Sequence, residues 1–78
     1  MMEIRTFIAL LADLFDDTPE ESLSPGTVIR DLDEYSSIIM LSIIAMIDDE
    51  FGVVLTGKEV KASVTIQDLF NTLQAKIG

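Results

Sequence analysis

The stretch from Asp31 to Gly52, DLDEYSSIIMLSIIAMIDDEFG, decides the fold. It opens acidic, passes through Ser36 and Ser37, and runs apolar from Ile38 to Ile47 with only Ser42 interrupting. Asp48, Asp49 and Glu50 close it, and Phe51-Gly52 ends it. The apolar run is far short of the roughly 20 residues that span a bilayer. Isoleucine favours strands, but strands seldom exceed about ten residues. Length therefore predicts a helix from Ser37 to Phe51, with Gly52 just past its end. Met40, Ile43 or Ile44, Ile47 and Phe51 form its expected inward stripe. Ile39, Leu41 and Ala45 are then left partly exposed, either covered by a loop or available as an interaction surface.

On the N-terminal side, Met1 to Phe15 reads as a helix. Ile4, Phe7, Ile8, Leu11 and Leu14 recur at three- and four-residue spacing, and Leu10 and Phe15 widen the stripe. Pro19 stops any continuation. Asp16 to Glu34 is a long connection punctuated by Thr18-Pro19 and Pro25-Gly26. A loop of this length needs anchors, and Leu23, Val28, Ile29 and Leu32 supply them. Thr27 to Leu32 could hold a short helical turn or a strand; a loop pinned to the core is favoured, because no partner strand is evident.

On the C-terminal side, Val53 to Leu55 forms a short extended bridge. Thr56-Gly57-Lys58-Glu59 matches a capping box and opens a short helix, Gly57 to Lys61, that packs Val60. Thr65-Ile66-Gln67-Asp68 repeats the pattern with the shorter carboxylate. The helix that follows directs Ile66, Leu69, Phe70, Leu73 and Ile77 to the core. The expectation is an all-α fold: a small four-helix bundle with three longer helices, one short helix and a long loop between helices one and two. Residues 1–78 make one domain.

Composition narrows the chemistry. With no cysteine and no histidine among 78 residues, the chain has no disulfide, no thiolate of its own and no zinc ligand of the usual kinds. The usual neutral-pH proton shuttle is absent too. A formal charge of -9 repels nucleic acid and anionic lipid and favours basic partner surfaces. No stable membrane insertion is expected. The N-terminus shows no secretory signal pattern, which makes a cytoplasmic location the default expectation.

Neither Asp31, Asp33, Glu34 nor Asp48, Asp49, Glu50 has the alternating ligand spacing and central glycine of a calcium loop; both clusters read as solvated faces. Thr56-Gly57-Lys58 lacks the glycine-rich run of a phosphate loop, so Thr56 reads as a cap. Ser36 and Ser37 are the remaining candidates. One of them caps the second helix. As self-activated nucleophiles they lack a base partner. A serine at a helix start is, however, well placed to carry a phosphate-linked group, beside free amides and the positive end of the helix dipole.

Tyr35-Ser36-Ser37-Ile38, the apolar helix, and Ile47-Asp48-Asp49-Glu50-Phe51-Gly52 together resemble the acyl carrier protein family and its peptidyl carrier relatives. Pro25-Gly26 to Leu32 looks like that family's approach to its attachment site, and Thr65-Ile66-Gln67-Asp68-Leu69 like its last-helix opening. The register from the acidic triplet and Phe-Gly places the family's modified serine on Ser37, leaving Ser36 free to serve as cap. The resemblance implies a carrier, not an enzyme. Ser37 would receive 4′-phosphopantetheine from coenzyme A through a separate magnesium-dependent phosphopantetheinyl transferase. The arm would carry acyl or aminoacyl thioesters to loading, condensing or transferring enzymes.

The chain departs from the family where partners dock. Ser36 replaces the usual aspartate before the modified serine, and Ile38 the usual leucine after it. Ile39, Met40 and Ser42 stand where members serving fatty-acid synthesis place acids. Docking therefore falls to Ser36, Ile38, Ile39, Met40 and Ser42, with Asp31, Asp33, Glu34, Asp48, Asp49 and Glu50 around them. This favours a specialised lipid or secondary-metabolite pathway. The alternative is an unmodified, carrier-like interaction subunit. An acyl chain is expected to tuck beside the second helix, with Met40 and Met46 lining its groove.

Overall fold

A computed structural model of the chain describes residues 3–77. The apolar stretch is helix α2, Ser37–Phe51, as its length predicted. Ser36 caps its start: the Oγ accepts from the Ile39 amide at 3.2 Å. Gly52 ends it at φ 67°, a left-handed conformation that side chains with a Cβ adopt at a cost. Ile43 and Ile47 are fully buried. Met40, Ile44 and Phe51 are half-buried.

The first helix is α1, Ile4–Ala12, shorter than the Met1–Phe15 expectation. Met1 and Met2 lie outside the described residues. At the other end the chain tightens, with Leu14 N–H donating to Leu11 at 3.0 Å and Phe15 N–H to Ala12 at 3.1 Å. Two causes act together. Asp13 places negative charge at the negative end of the helix. The amides of Asp16 and Asp17, which would extend the helix, donate instead to the Glu34 carboxylate. Phe15 is thereby turned into the interior, where it is buried.

The long connection holds two single 3-10 turns, Glu20–Ser22 and Ile29–Asp31. Leu23 and Ile29 are buried, while Val28 and Leu32 are half-buried. The expectation that 27–32 has no extended partner is corrected at one rung. Val28 pairs antiparallel with Thr65, Ile29 N–H donates to Val64 at 3.1 Å, and Ile66 N–H donates to Thr27 at 3.0 Å. A single bridge of this kind leaves no alternating pattern in the sequence to detect.

Helix α3, Gly57–Ala62, begins with the full capping box, Thr56 and Glu59 each accepting from the other's amide. Helix α4, Ile66–Ile77, begins with the Thr65–Asp68 pair. The Asp68 carboxylate accepts from both Thr65 and Val64, and Thr65 Oγ accepts from the Asp68 amide. Ile66, Leu69, Phe70 and Leu73 are buried, but Ile77 is half exposed. Ile77 is therefore not a core residue; the helix outruns the body it packs on.

Helix α1 lies on α4, and α2 on α3. Phe7 and Phe70 meet at the α1–α4 seam with ring centroids 5.6 Å apart. The radius of gyration is 11.2 Å, close to the roughly 11.5 Å expected of a compact chain this long. The described residues thus form a small all-α fold of four helices with no β-strand. None of those helices is long and apolar enough to cross a membrane.

Candidate functional site

The two serines have different surroundings. Ser36, outside the helix, spends its hydroxyl on the cap. Ser37 is the first residue of α2 and is exposed. Its hydroxyl makes no hydrogen bond among the described residues, and the amides of Ser37 and Ile38 have no acceptor among them. Ser37 thus combines a free hydroxyl, adjacent free donors and the positive end of a 15-residue helix.

Ser37 also lies on the rim of a pocket of about 290 Å³ between α2 and α3. Ile29, Tyr35, Met40 and Val60 give it an apolar wall, and Arg30 and Lys61 give it positive charge. The chain has only five lysines and arginines against fourteen acids. Two of the five stand here, and neither forms an ion pair among the described residues, where the one salt bridge joins Lys76 to Glu59. Positive charge in so acidic a chain is a local departure from its overall field, of the sign that suits an anionic group. Arg30 and Lys61 were not among the residues singled out from the sequence. The signal was present in the scarcity of cations, but their place on the same pocket as Ser37 is tertiary.

The other predicted docking residues divide. Ile38 is 74% exposed and Leu41 61% exposed, so the serine-proximal outer face of α2 is apolar. Ile39 and Met40 are half-buried, Met40 against the pocket. Ser42 donates back to the Ile38 carbonyl at 3.0 Å. Asp31, Asp33 and Asp48 are exposed. Asp49 and Glu50 edge a different groove, between α1 and α2, floored by Leu10, Leu14, Ala45 and Met46. Met40 and Met46 therefore do not line one groove, contrary to expectation. Six residues apart, they leave α2 on different sides.

Glu34 is not a free surface acid. Its carboxylate accepts from Asp16 N–H and Asp17 N–H at 2.9 Å each and from the Thr18 hydroxyl at 2.6 Å. The Thr18 bond foremost, aided by the two amides against partial desolvation, holds its pKa below the ordinary carboxylate range. Among the described residues no group of three or more acids is placed to hold a metal ion.

Comparison of the chain with protein-family models, with curated proteins and with solved structures returns no match.

Proposed function

We propose that this chain is a carrier protein of the acyl-carrier type, bearing 4′-phosphopantetheine on Ser37 and serving a specialised lipid or secondary-metabolite pathway. One observation carries the reading. The Ser37 hydroxyl is exposed and unbonded at the start of α2 because Ser36 has taken over the capping role. The register placed the arm on Ser37 and left Ser36 as cap, and the Ser36 bond to the Ile39 amide supports that division.

The surroundings suit the group. The phosphodiester would sit beside the free amides of Ser37 and Ile38, with Arg30 and Lys61 on the same pocket. The apolar wall of Ile29, Met40 and Val60 suits the arm's carbon skeleton or a short acyl chain. When bound, the arm supplies a terminal thiol that carries acyl or aminoacyl groups as thioesters, chemistry that a chain without cysteine lacks. The protein's own residues hold the anion, shelter the apolar portion and offer Ile38 and Leu41 to partner enzymes. Partners would be a phosphopantetheinyl transferase and the enzymes that load, extend or unload the arm.

Intact-mass measurement after incubation with coenzyme A, magnesium and a broad-specificity phosphopantetheinyl transferase tests the reading. One added arm, lost in Ser37→Ala and kept in Ser36→Ala, is the expected result. Addition that persists in Ser37→Ala and disappears in Ser36→Ala would move the site by one residue. No addition with several transferases would favour the unmodified interaction subunit, a reading that the uncharged outer face of α2 also accommodates.

A further inference from the structure

The three residues before Ser37 are each held by a different contact. Ser36 caps α2. Tyr35 lines the pocket beside Ser37, and its amide donates to Leu32 at 3.0 Å. Glu34 reaches across 16 to 18 positions of sequence to the exit of α1, where its two oxygens accept three hydrogen bonds. The far end of the approach is held separately, by the Val28–Thr65 bridge at the entry to α4. Between these points lie only a 3-10 turn and four further residues, Leu32 to Tyr35. If the Glu34 contact is released, the peptide that aims Ser37 loses its tie to the exit of α1 and keeps the Val28–Thr65 bridge, the packing of Ile29, Leu32 and Tyr35, and the Ser36 cap.

We infer that Glu34 is a positioning residue: by clasping the amides of Asp16 and Asp17 and the hydroxyl of Thr18, it holds the turn that presents Ser37 at the start of α2. The donors come from backbone and hydroxyl, so the clasp requires two acceptor oxygens on one side chain that spans from the α2 approach to the α1 exit. Glutamate meets this. Glutamine does not, because its amide offers one oxygen and an NH2 that faces a second N–H. A presenting turn held in one conformation raises the fraction of molecules competent for a modifying enzyme, and loosening it lowers apparent affinity by that fraction.

The test uses the full chain as Glu34→Gln, with Thr18→Val removing one donor and Glu21→Gln, an exposed acid of the same loop, as the charge control. Two readouts are independent. Amide hydrogen exchange followed by NMR reports the turn itself. Glu34→Gln should accelerate exchange at Asp16, Asp17 and also Ile39, whose amide depends on the Ser36 cap, with Thr18→Val doing the same more weakly. The second readout, which rests on the Ser37 reading above, is arm transfer from coenzyme A. Glu34→Gln should raise the KM for the carrier about three- to tenfold while kcat changes less than about twofold, and Glu21→Gln should match wild type. The inference is overturned if exchange accelerates at Asp16 and Asp17 while Ile39 protection is unchanged. It is equally overturned if Glu34→Gln and Glu21→Gln load alike. A wild-type chain that accepts no arm overturns the Ser37 reading instead, and Ile39 exchange then decides the role of Glu34 alone.

Discussion

Ser36 and Ser37 are adjacent and chemically identical, yet their substitution should have opposite consequences. Ser36→Ala removes the acceptor of the Ile39 amide and should cost about 1 kcal/mol of stability in urea unfolding. Ser37→Ala removes an exposed hydroxyl without a partner among the described residues and should leave stability within about 0.5 kcal/mol of wild type while abolishing arm addition. Gly52 offers a cleaner measurement still. It sits at φ 67°, and a Cβ there would meet nothing within 4 Å. Gly52→Ala should therefore cost about 1 kcal/mol through backbone conformation alone. A null result in urea unfolding would show that the end of α2 relaxes to accommodate it.

Helix α2 serves two surfaces at once, and its methionines mark them. Met40 lies against the Ser37 pocket and Met46 against the α1 groove. On the carrier proposal, acylation of an arm on Ser37 should therefore shift amide resonances at Met40, Val60, Lys61 and Ser63, with Met46 and Leu10 unmoved. Shifts at Met46 would place the chain on the other side of α2. Helix α3 is six residues long, too short to form by itself, so its cap matters more. Thr56→Ala should cost about 1 kcal/mol. Glu59, at the other half of that box, also meets Lys76 at 2.8 Å. The Lys76 contact first, then the Thr56 amide, holds its pKa below the ordinary 4.5. A group whose folded pKa is depressed stabilises the fold above its unfolded value and loses that contribution as pH falls through the folded value. The stability gap between wild type and Glu59→Gln should thus be full above 4.5 and close as the solution becomes more acidic. A gap that widened on acidification would reverse the sign.

At the scale of the whole molecule, a net charge of -9 is spread unevenly. The pocket beside Ser37 carries Arg30 and Lys61, the adjoining face of α2 carries Ile38 and Leu41, and the acids Asp48 to Glu50 gather at the far end. Partner binding through the Ile38–Leu41 face of α2 should accordingly be only weakly screened by salt, although the Debye length falls from about 10 Å at 0.1 M to about 3 Å at 1 M. Titration calorimetry against a partner enzyme should show less than about a tenfold loss across that range. Ser42→Glu, which adds an acid to that face, should steepen the dependence. A steep dependence in the wild type would mean that the acids, not the apolar patch, carry docking.

Local rules were enough for the parts of this chain whose causes are local. The length of the Ile38–Ile47 run, the glycine at 52 and the Thr56 box predicted α2 and the start of α3, and the 3.6-residue stripes predicted α1 and α4, because each is set by neighbours within a few residues. What lay beyond reach was decided by contacts between distant segments. Helix α1 is not continued beyond its closing turn because Glu34, 17 to 18 positions away, takes the amides of Asp16 and Asp17. Val28 finds an extended partner only once Thr65 is folded against it. Ile77 continues an apolar stripe past the end of the surface that would bury it. The same division runs through the site. The serine pair and its register were legible, since a helix start is a local event. The division of the serines is local as well, since Ser36 caps through an amide three residues on; the lining of one pocket by Ser37, Arg30 and Lys61 required the chain to close on itself.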